Sequence, residues 1–165
     1  MTNSGTNNYV LEMKTVQIAP VRTLMTALKD ILLETNIVFS QDYTDSKGNI
    51  VPAGIRIINM DKSHTILAHL FLDALKFEHF YCKYPKIIIG VNMFHLFKLI
   101  NTIDNDDTLT IYIEEKDYSD GIVEYLGLKF ENGDIKQMKI QKLKLIEPDE
   151  EELDMPSVKF SSIIN

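Results

Sequence analysis

Apolar and polar residues alternate along much of the chain, and this period of two predicts β-strands. The predicted strands span residues 10–18, 36–41, 54–60, 65–73, 80–84, 86–91, 108–114, 123–131 and 134–145. The last two are joined by Asn132-Gly133, a strong signal for a hairpin turn. Strands this numerous and closely spaced predict a largely antiparallel sheet.

One segment, residues 20–33, has apolar residues spaced for a helix instead, with a period of about 3.6. Pro20 suits its first turn. The apolar face is predicted to consist of Val21, Leu24, Met25, Leu28, Ile31 and Leu32. The opposite face carries Arg22, Thr26 and Lys29. We expect the apolar face to pack on the core and the basic face to point outwards.

A second helical segment covers residues 92–102, where Asn92 can cap the N-terminus. Its apolar stripe is formed by Met93, Leu96, Phe97 and Ile100. The residues that face away are His95, Lys98 and Asn101. Together with the strands, the helices predict an α+β fold in which both helices lie on one face of a largely antiparallel sheet.

Composition limits the classes of function. The chain has 165 residues, enough for one domain with short appendages, and no apolar run approaches the roughly 18 residues of a membrane span. Its single cysteine, Cys82, excludes an internal disulfide and is expected to be a strand residue rather than a nucleophile. The chain has no Gly-rich phosphate loop, no GxSxG or HExxH motif and no zinc-ligand spacing. We therefore expect no catalysis, no metal and no cofactor.

Negative charge is concentrated in one segment. The net charge of −7 would by itself disfavour binding to nucleic acid. Six of the 24 acidic residues lie between Glu147 and Asp154, however, so 18 acids stand against 17 bases elsewhere. The acidic run is interpreted as a solvated linker. A second possibility is that it repels other polyanions while attracting basic segments of partner molecules.

After Leu145 the alternating strand pattern gives way to a proline and the acidic run, and this change predicts the domain organisation. We expect a disordered, uncharged tail at residues 1–9 and a domain at residues 10–145. A connector should follow at residues 146–157. Residues 158–165 alternate like a strand with no partner, and we expect them to begin a second domain that is absent from this chain.

Three stretches, taken in order, resemble proliferating cell nuclear antigen, the eukaryotic and archaeal DNA sliding clamp. They are residues 27–30 (Ala-Leu-Lys-Asp), residues 54–64, and residues 89–92 (Ile-Gly-Val-Asn), which lead into the second helix. The middle stretch ends in Met-Asp-Lys-Ser-His, which is similar to the family's most recognisable pattern. Residues 144–160 resemble its interdomain connector. The sequence departs from the family in a longer turn at residues 42–51, and in Thr23 and Asn101, where lysine is common.

The resemblance implies a DNA-clamp fold and a ring that encircles duplex DNA, assembled as a trimer of chains that each carry two such domains. In the family, the helices line the central hole and contact phosphates without reading sequence. The matching bases here are Arg22, Lys29 and Lys98. Implied partners are double-stranded DNA, DNA polymerase, other clamp-binding peptides and the clamp loader, with no membrane.

The resemblance also implies a groove for partner peptides beside the connector. Methionine and leucine suit a groove that accepts several partners. The matching residues are Met60, His64, Thr65, Leu67, Leu153, Met155, Pro156 and Phe160. Thr65 stands where a more apolar residue is usual, which would make the pocket shallower.

Ring closure in the family implies that the strand at residues 136–145 pairs with a neighbouring chain. Two other classes of function stay open. The chain could be a naturally short clamp relative with a structural or regulatory role, or an unrelated enzyme that uses Cys82 or a histidine. The abundance of Ile, Lys, Asn and Asp, with no Trp, fits an AT-rich genome such as that of a large DNA virus or a protist. The expected location is therefore the nucleus or a viral replication compartment.

Overall fold

The computed structural model describes residues 8–60 and 66–148, and only the backbone of residues 60 and 66–68. The elements follow in the order β1 (Tyr9–Thr15), α1 (Ile18–Ile31), β2 (Glu34–Ser40), β3 (Tyr43–Thr44), β4 (Ile50–Val51), β5 (Gly54–Met60), β6 (Ile66–Asp73), β7 (His79–Cys82), β8 (Lys86–Asn92), α2 (Met93–Ile100), β9 (Thr108–Glu114), β10 (Tyr118–Ser119), β11 (Ile122–Val123), β12 (Tyr125–Asn132) and β13 (Gln137–Lys144). Short 3-10 turns at Ala74–Lys76 and Glu115–Asp117 complete the described part.

The strands form two main sheets. One has five strands in the order β13-β12-β9-β1-β7, and the other has four in the order β6-β5-β2-β8. Every strand pair in the described residues is antiparallel. The predicted α+β class is therefore confirmed, with the strands divided between two sheets. The long turn at residues 42–51 contains the small hairpin of β3 and β4.

Both sheets and both helices share one apolar core. Its fully buried side chains include Leu11 of β1, Val91 of β8, Met93 of α2 and Leu128 of β12. A cavity of about 70 Å³ lies within this core and is lined almost entirely by apolar side chains of both sheets and both helices. A void of this size lowers stability by about 1–2 kcal/mol relative to a filled core.

The apolar faces of the helices pack as their sequence patterns predict, with the exception of Ile31. Asn92 caps α2, since its side-chain oxygen accepts a hydrogen bond from the His95 amide at 3.0 Å. In α1, Met25 and Leu28 are buried, but Ile31 is 64% exposed, so its predicted place on the apolar face is wrong. The helix ends at Ile31, and the extended backbone at Leu32 turns that side chain inwards instead.

The hairpin between β12 and β13 is confirmed, but its turn is longer than Asn132-Gly133. Asn132 pairs with Gln137, so residues 133–136 form the loop. The Asn132 side chain accepts hydrogen bonds from the amides of Asp134 and Ile135, and Lys136 has a φ of 51°. The side chain of Asn132 thus organises the loop, and β13 begins three residues later than predicted.

The predicted domain boundaries are described only in part. Tyr9 already pairs in β1, whereas residues 1–7 of the predicted tail lie outside the described residues. After β13, the Ile146 amide donates a hydrogen bond to the Gly90 carbonyl at 3.0 Å and so covers the outer edge of β8 at Gly90. The connector is described as far as Pro148, and residues 158–165 lie outside the description.

Candidate nucleic-acid interface

The two helices pack against each other and share an outward surface on the side away from the core. On α2 this surface is formed by His95, Lys98 and Phe94, all exposed, while Met93 and Leu96 on the other side are buried. Lys29 of α1 lies next to α2, with its Nζ 4.9 Å from the centroid of the Phe97 ring. Two of the three predicted DNA-binding bases, Lys29 and Lys98, therefore belong to one surface.

Lys29 is held in place more firmly than its sequence position suggests. Its side chain is 24% exposed, and its Nζ is 2.7 Å from Asp30 Oδ1 as well as lying over Phe97. A surface ion pair of this kind contributes at most about 1 kcal/mol. Lys29 can therefore exchange Asp30 for a stronger anion such as a phosphate at little cost.

Lys98 is the freer of the two lysines. It is exposed, and its Nζ lies 5.4 Å from the centroid of the Phe94 ring. Its ammonium group can reach solvent and therefore an approaching phosphate backbone. Such attraction acts at a distance and requires no contact with base edges.

Arg22 is placed differently from the prediction of an exposed basic face. Its guanidinium donates hydrogen bonds to the carbonyl of Ile103 and to Asn105 Oδ1, both in the loop after α2, and its Nε is buried. Arg22 therefore fastens α1 to this loop. The same loop also carries Asp104, Asp106 and Asp107.

Phe94 is a residue that sequence reasoning did not select. It lies in the first turn of α2, is 48% exposed, and its ring centroid is 6.5 Å from that of Phe97 at an interplanar angle of 28°. The available signal was a large aromatic residue outside the apolar stripe, on the same side as Lys98. Its ring therefore adds an aromatic surface to the face that carries Lys98.

The predicted peptide groove lies largely outside the described residues. Met60 ends β5 and Leu67 belongs to β6, but their side chains are not described. The other members lie outside the description altogether: His64, Thr65, Leu153, Met155, Pro156 and Phe160. The groove therefore stays a prediction.

The strand at residues 137–144, β13, forms one edge of the five-stranded sheet. Met138 and Ile140 on its outer face are 59% and 53% exposed, whereas Leu143 is buried. Lys142 lies 2.8 Å from Asp117 Oδ2 and 3.0 Å from Glu114 Oε1. The hydrogen bond that Lys142 donates to Asp117 raises the pKa of Lys142, so this lysine is charged and is already paired within its own domain.

Cys82 has the environment of a packing residue. It is buried at the end of β7, and burial raises the pKa of its thiol to about 11. At neutral pH the thiol is protonated, which disfavours a nucleophilic role. Within residues 8–60 and 66–148, no group of three or more His, Cys, Asp or Glu residues could hold a metal ion. No helix in the described part is long and apolar enough to cross a membrane.

Two antiparallel sheets backed by a pair of helices, with lysines on the outer helical surface, define the class of protein as a DNA-clamp domain. The family described as "Proliferating cell nuclear antigen, N-terminal domain" matches residues 10–152. The chain belongs to this family. The predicted resemblance is thereby confirmed.

Three relatives are similar over nearly the whole chain. A probable DNA polymerase sliding clamp 1 of Paramecium bursaria Chlorella virus 1 is 27% identical over 96% of this chain and 54% of its own length. Proliferating cell nuclear antigen of Chaetomium thermophilum is 28% identical over 94% of this chain and 53% of its own length. A probable DNA polymerase sliding clamp of Acanthamoeba polyphaga mimivirus is 24% identical over 98% and 40%, respectively. The chain thus spans about half the length of the relatives it matches.

Proposed function

We propose that this chain supplies the N-terminal domain of a DNA sliding clamp, a ring that encircles duplex DNA and keeps a polymerase on its template. The observation that carries the proposal is the shared outer surface of α1 and α2, where Lys29 and Lys98 lie on the side opposite the core. With only two lysines per domain, the attraction to phosphates is weak. Such a surface suits a ring that must move along DNA.

In this proposal Arg22 acts mainly within the protein. Its bonds to Ile103 and Asn105 hold the loop after α2 against α1, so it shapes the surface more than it reaches for phosphate. Its charge still adds to the local potential. We therefore assign the mobile phosphate contacts to Lys29 and Lys98.

Ring closure is proposed to use β13. The strand lies at the end of its sheet, and its outer-face residues Met138 and Ile140 are more than half exposed. An exposed strand edge readily pairs with a strand of another chain. A neighbouring clamp chain would complete the sheet across the subunit boundary and close a trimeric ring.

Partner recruitment is proposed to use the groove that includes Met60, Leu67, Met155 and Phe160. The names of the relatives support a polymerase as one partner. Other clamp-binding peptides and a clamp loader complete the proposed set. The proposed location is the nucleus, or a viral replication compartment if the source is a virus.

The test is retention of the full-length protein on circular and linearised DNA. A topological ring, once loaded, should stay on circular DNA and slide off linear ends. Changing both Lys29→Gln and Lys98→Gln should weaken the initial binding to DNA at low salt, whereas Lys47→Gln, on the exposed turn between β3 and β4, should not. Equal retention on both DNA forms would contradict the ring. A monomeric mass in solution would favour the regulatory alternative.

A further inference from the structure

The outer surface of the helix pair carries two neighbouring aromatic rings with one lysine at each end of the pair. Lys29 Nζ lies 4.9 Å from the Phe97 centroid, the two phenyl rings are 6.5 Å apart, and Lys98 Nζ lies 5.4 Å from the Phe94 centroid. We call Lys29, Phe97, Phe94 and Lys98 the cation–aromatic ladder. Duplex backbone binding requires only the lysines of this ladder, so the rings call for a separate explanation.

Exposure distinguishes the two rings. Phe97 is half-buried in the seam between the helices, where packing alone accounts for it. Phe94 is 48% exposed and lies on the polar side of an amphipathic helix. About half of its ring surface is thus open to solvent and available for stacking, and the ring stands next to a lysine on the same face.

We propose that the cation–aromatic ladder binds single-stranded DNA, with an unpaired base stacked on Phe94 and the flanking phosphates on Lys29 and Lys98. Aromatic side chains set among cations are the usual means of binding single strands, because every base has a flat face and every nucleotide a phosphate. The bases of a duplex are already stacked on one another, so Phe94 would discriminate in favour of unpaired segments. This inference deepens the proposed clamp function and rests on it for the identity of the ligand as DNA.

Charge favours a nucleic acid over an apolar peptide as the occupant. The α2 segment contains no acidic residue, and the acid beside Lys29, Asp30, is already paired with that lysine. Phe94 lies in the first turn of α2, at the opposite end from the acidic loop at residues 104–107. On the two helices the unpaired charge beside the ring is therefore basic, and Glu34, which pairs with Asn92 in the sheet, is the acid that β2 places at this end of α2.

The lysines do not block the ring. Lys98 is exposed, and a cation over an exposed aromatic ring is held only weakly. An incoming base can displace the Lys98 ammonium from Phe94, and the same ammonium can then bind the phosphate beside that base. One rearrangement of a flexible side chain thus serves both contacts.

The chain contains no tryptophan, which allows a direct test. Phe94→Trp would introduce a single indole whose fluorescence is quenched when a base stacks on it. The probe is an oligo-dT strand of about 12 nucleotides, within the usual site size. We expect quenching in Phe94→Trp, and none in Ile50→Trp, which places the indole at an exposed position on the hairpin of β3 and β4.

The second measurement is the anisotropy of labelled oligo-dT at low salt. Phe94→Ala should weaken binding by about 5-fold to about 100-fold, the range for loss of one base stack, whereas Ile50→Ala should leave it unchanged. A linear duplex with the same number of phosphates should bind more weakly than oligo-dT and be insensitive to Phe94→Ala. Circular dichroism of Phe94→Ala verifies that the variant is folded.

Three outcomes would overturn the inference: equal affinity of Phe94→Ala and the native chain, unquenched Phe94→Trp, or a dimer that buries Phe94 in solution. The outcome is distinguishable from failure of the clamp proposal, because short linear strands cannot be trapped topologically. Loss of the Phe94 effect with retention on circular DNA would reject the ladder and leave the clamp in place. A Phe94 effect on oligo-dT binding without retention on circular DNA would support the ladder and reject the clamp.

Discussion

The strands β8 and β13 are the last strands of two different sheets, and their outer edges differ in whether another segment of the chain pairs with them. At β8, the chain returns after β13 and places Ile146 against Gly90, so the edge is covered at that point from within the domain. At β13, Met138 and Ile140 are more than half exposed, and the strand is the last of its sheet. The unpaired N–H and C=O groups of an uncovered edge can pair with a strand of another chain, so proteins normally protect such edges. Within the described residues, β13 therefore has no strand on its outer side, which is what the proposed pairing with another chain requires.

The covered edge depends on a close approach that only glycine permits. A Cβ added at Gly90 would lie 2.6 Å from the Ile146 carbonyl oxygen. In β13 the two faces of the strand differ instead in burial, since Leu143 is buried while Ile140 is 53% exposed. The edge of β8 is thus held by a backbone contact, whereas β13 is held by the buried side chain on its inner face.

The largest expected effect concerns this anchored face. Leu143→Ala should lower the free energy of unfolding by about 2–5 kcal/mol, because it removes a buried side chain from the inner face of β13. Urea denaturation followed by circular dichroism measures the loss. The matched change on the same strand, Ile140→Ala, should cost less than about 0.5 kcal/mol. Equal costs would mean that the outer face is also covered in solution, which would undo the contrast between the edges.

An intermediate effect is expected at the covered edge. Gly90→Ala should cost about 1–3 kcal/mol, because the new methyl group overlaps the backbone of Ile146. Residues 145–148 should be displaced, and hydrogen exchange at the Ile146 amide should become faster. Gly133→Ala, where an added Cβ meets nothing within 4 Å, is the control and should change neither quantity. Unchanged exchange in Gly90→Ala would show that the edge is covered by some other contact.

The smallest effect concerns β7, the strand at the other end of the five-stranded sheet. Burial raises the pKa of Cys82 from 9.0 to about 11, so the folded state binds this proton more tightly than the unfolded state. The stability that this contributes is fully present below pH 9 and is lost as pH rises towards about 11. Thermal melts across this range should show a decline that is smaller in Cys82→Ala. The same decline in both proteins would assign it to other groups.

Local pattern was sufficient for much of the fold. The apolar stripe of α2 and the cap at Asn92 follow from the order of a few neighbouring residues, and both are present. The turn between β12 and β13 was less predictable. Asn132-Gly133 is a hairpin signal, yet the Asn132 side chain binds two amides of a four-residue loop instead. Side-chain hydrogen bonds of this kind compete with the tight turn and change the register of the strand that follows.

The candidate interface was predictable only in outline. Helical periodicity placed Lys29 and Lys98 outward, but it assigned Arg22 the same role. The bonds of Arg22 to Ile103 and Asn105 join residues more than 80 positions apart, and no local pattern contains them. The pairing of Phe94 and Phe97 with lysines of two helices likewise depends on how the helices pack.

The sequence by itself determined the α+β class, the two amphipathic helices and the membership of the clamp family, because these depend on periodicity and on short residue patterns. The tertiary structure alone decided that Arg22 is an internal tie and that Phe94 stands exposed beside Lys98. It also decided that, within the described residues, β8 is bridged at Gly90 while β13 is the last strand of its sheet. These properties arise from contacts between segments distant in sequence. Their energies depend on distance and burial, which residue order does not specify.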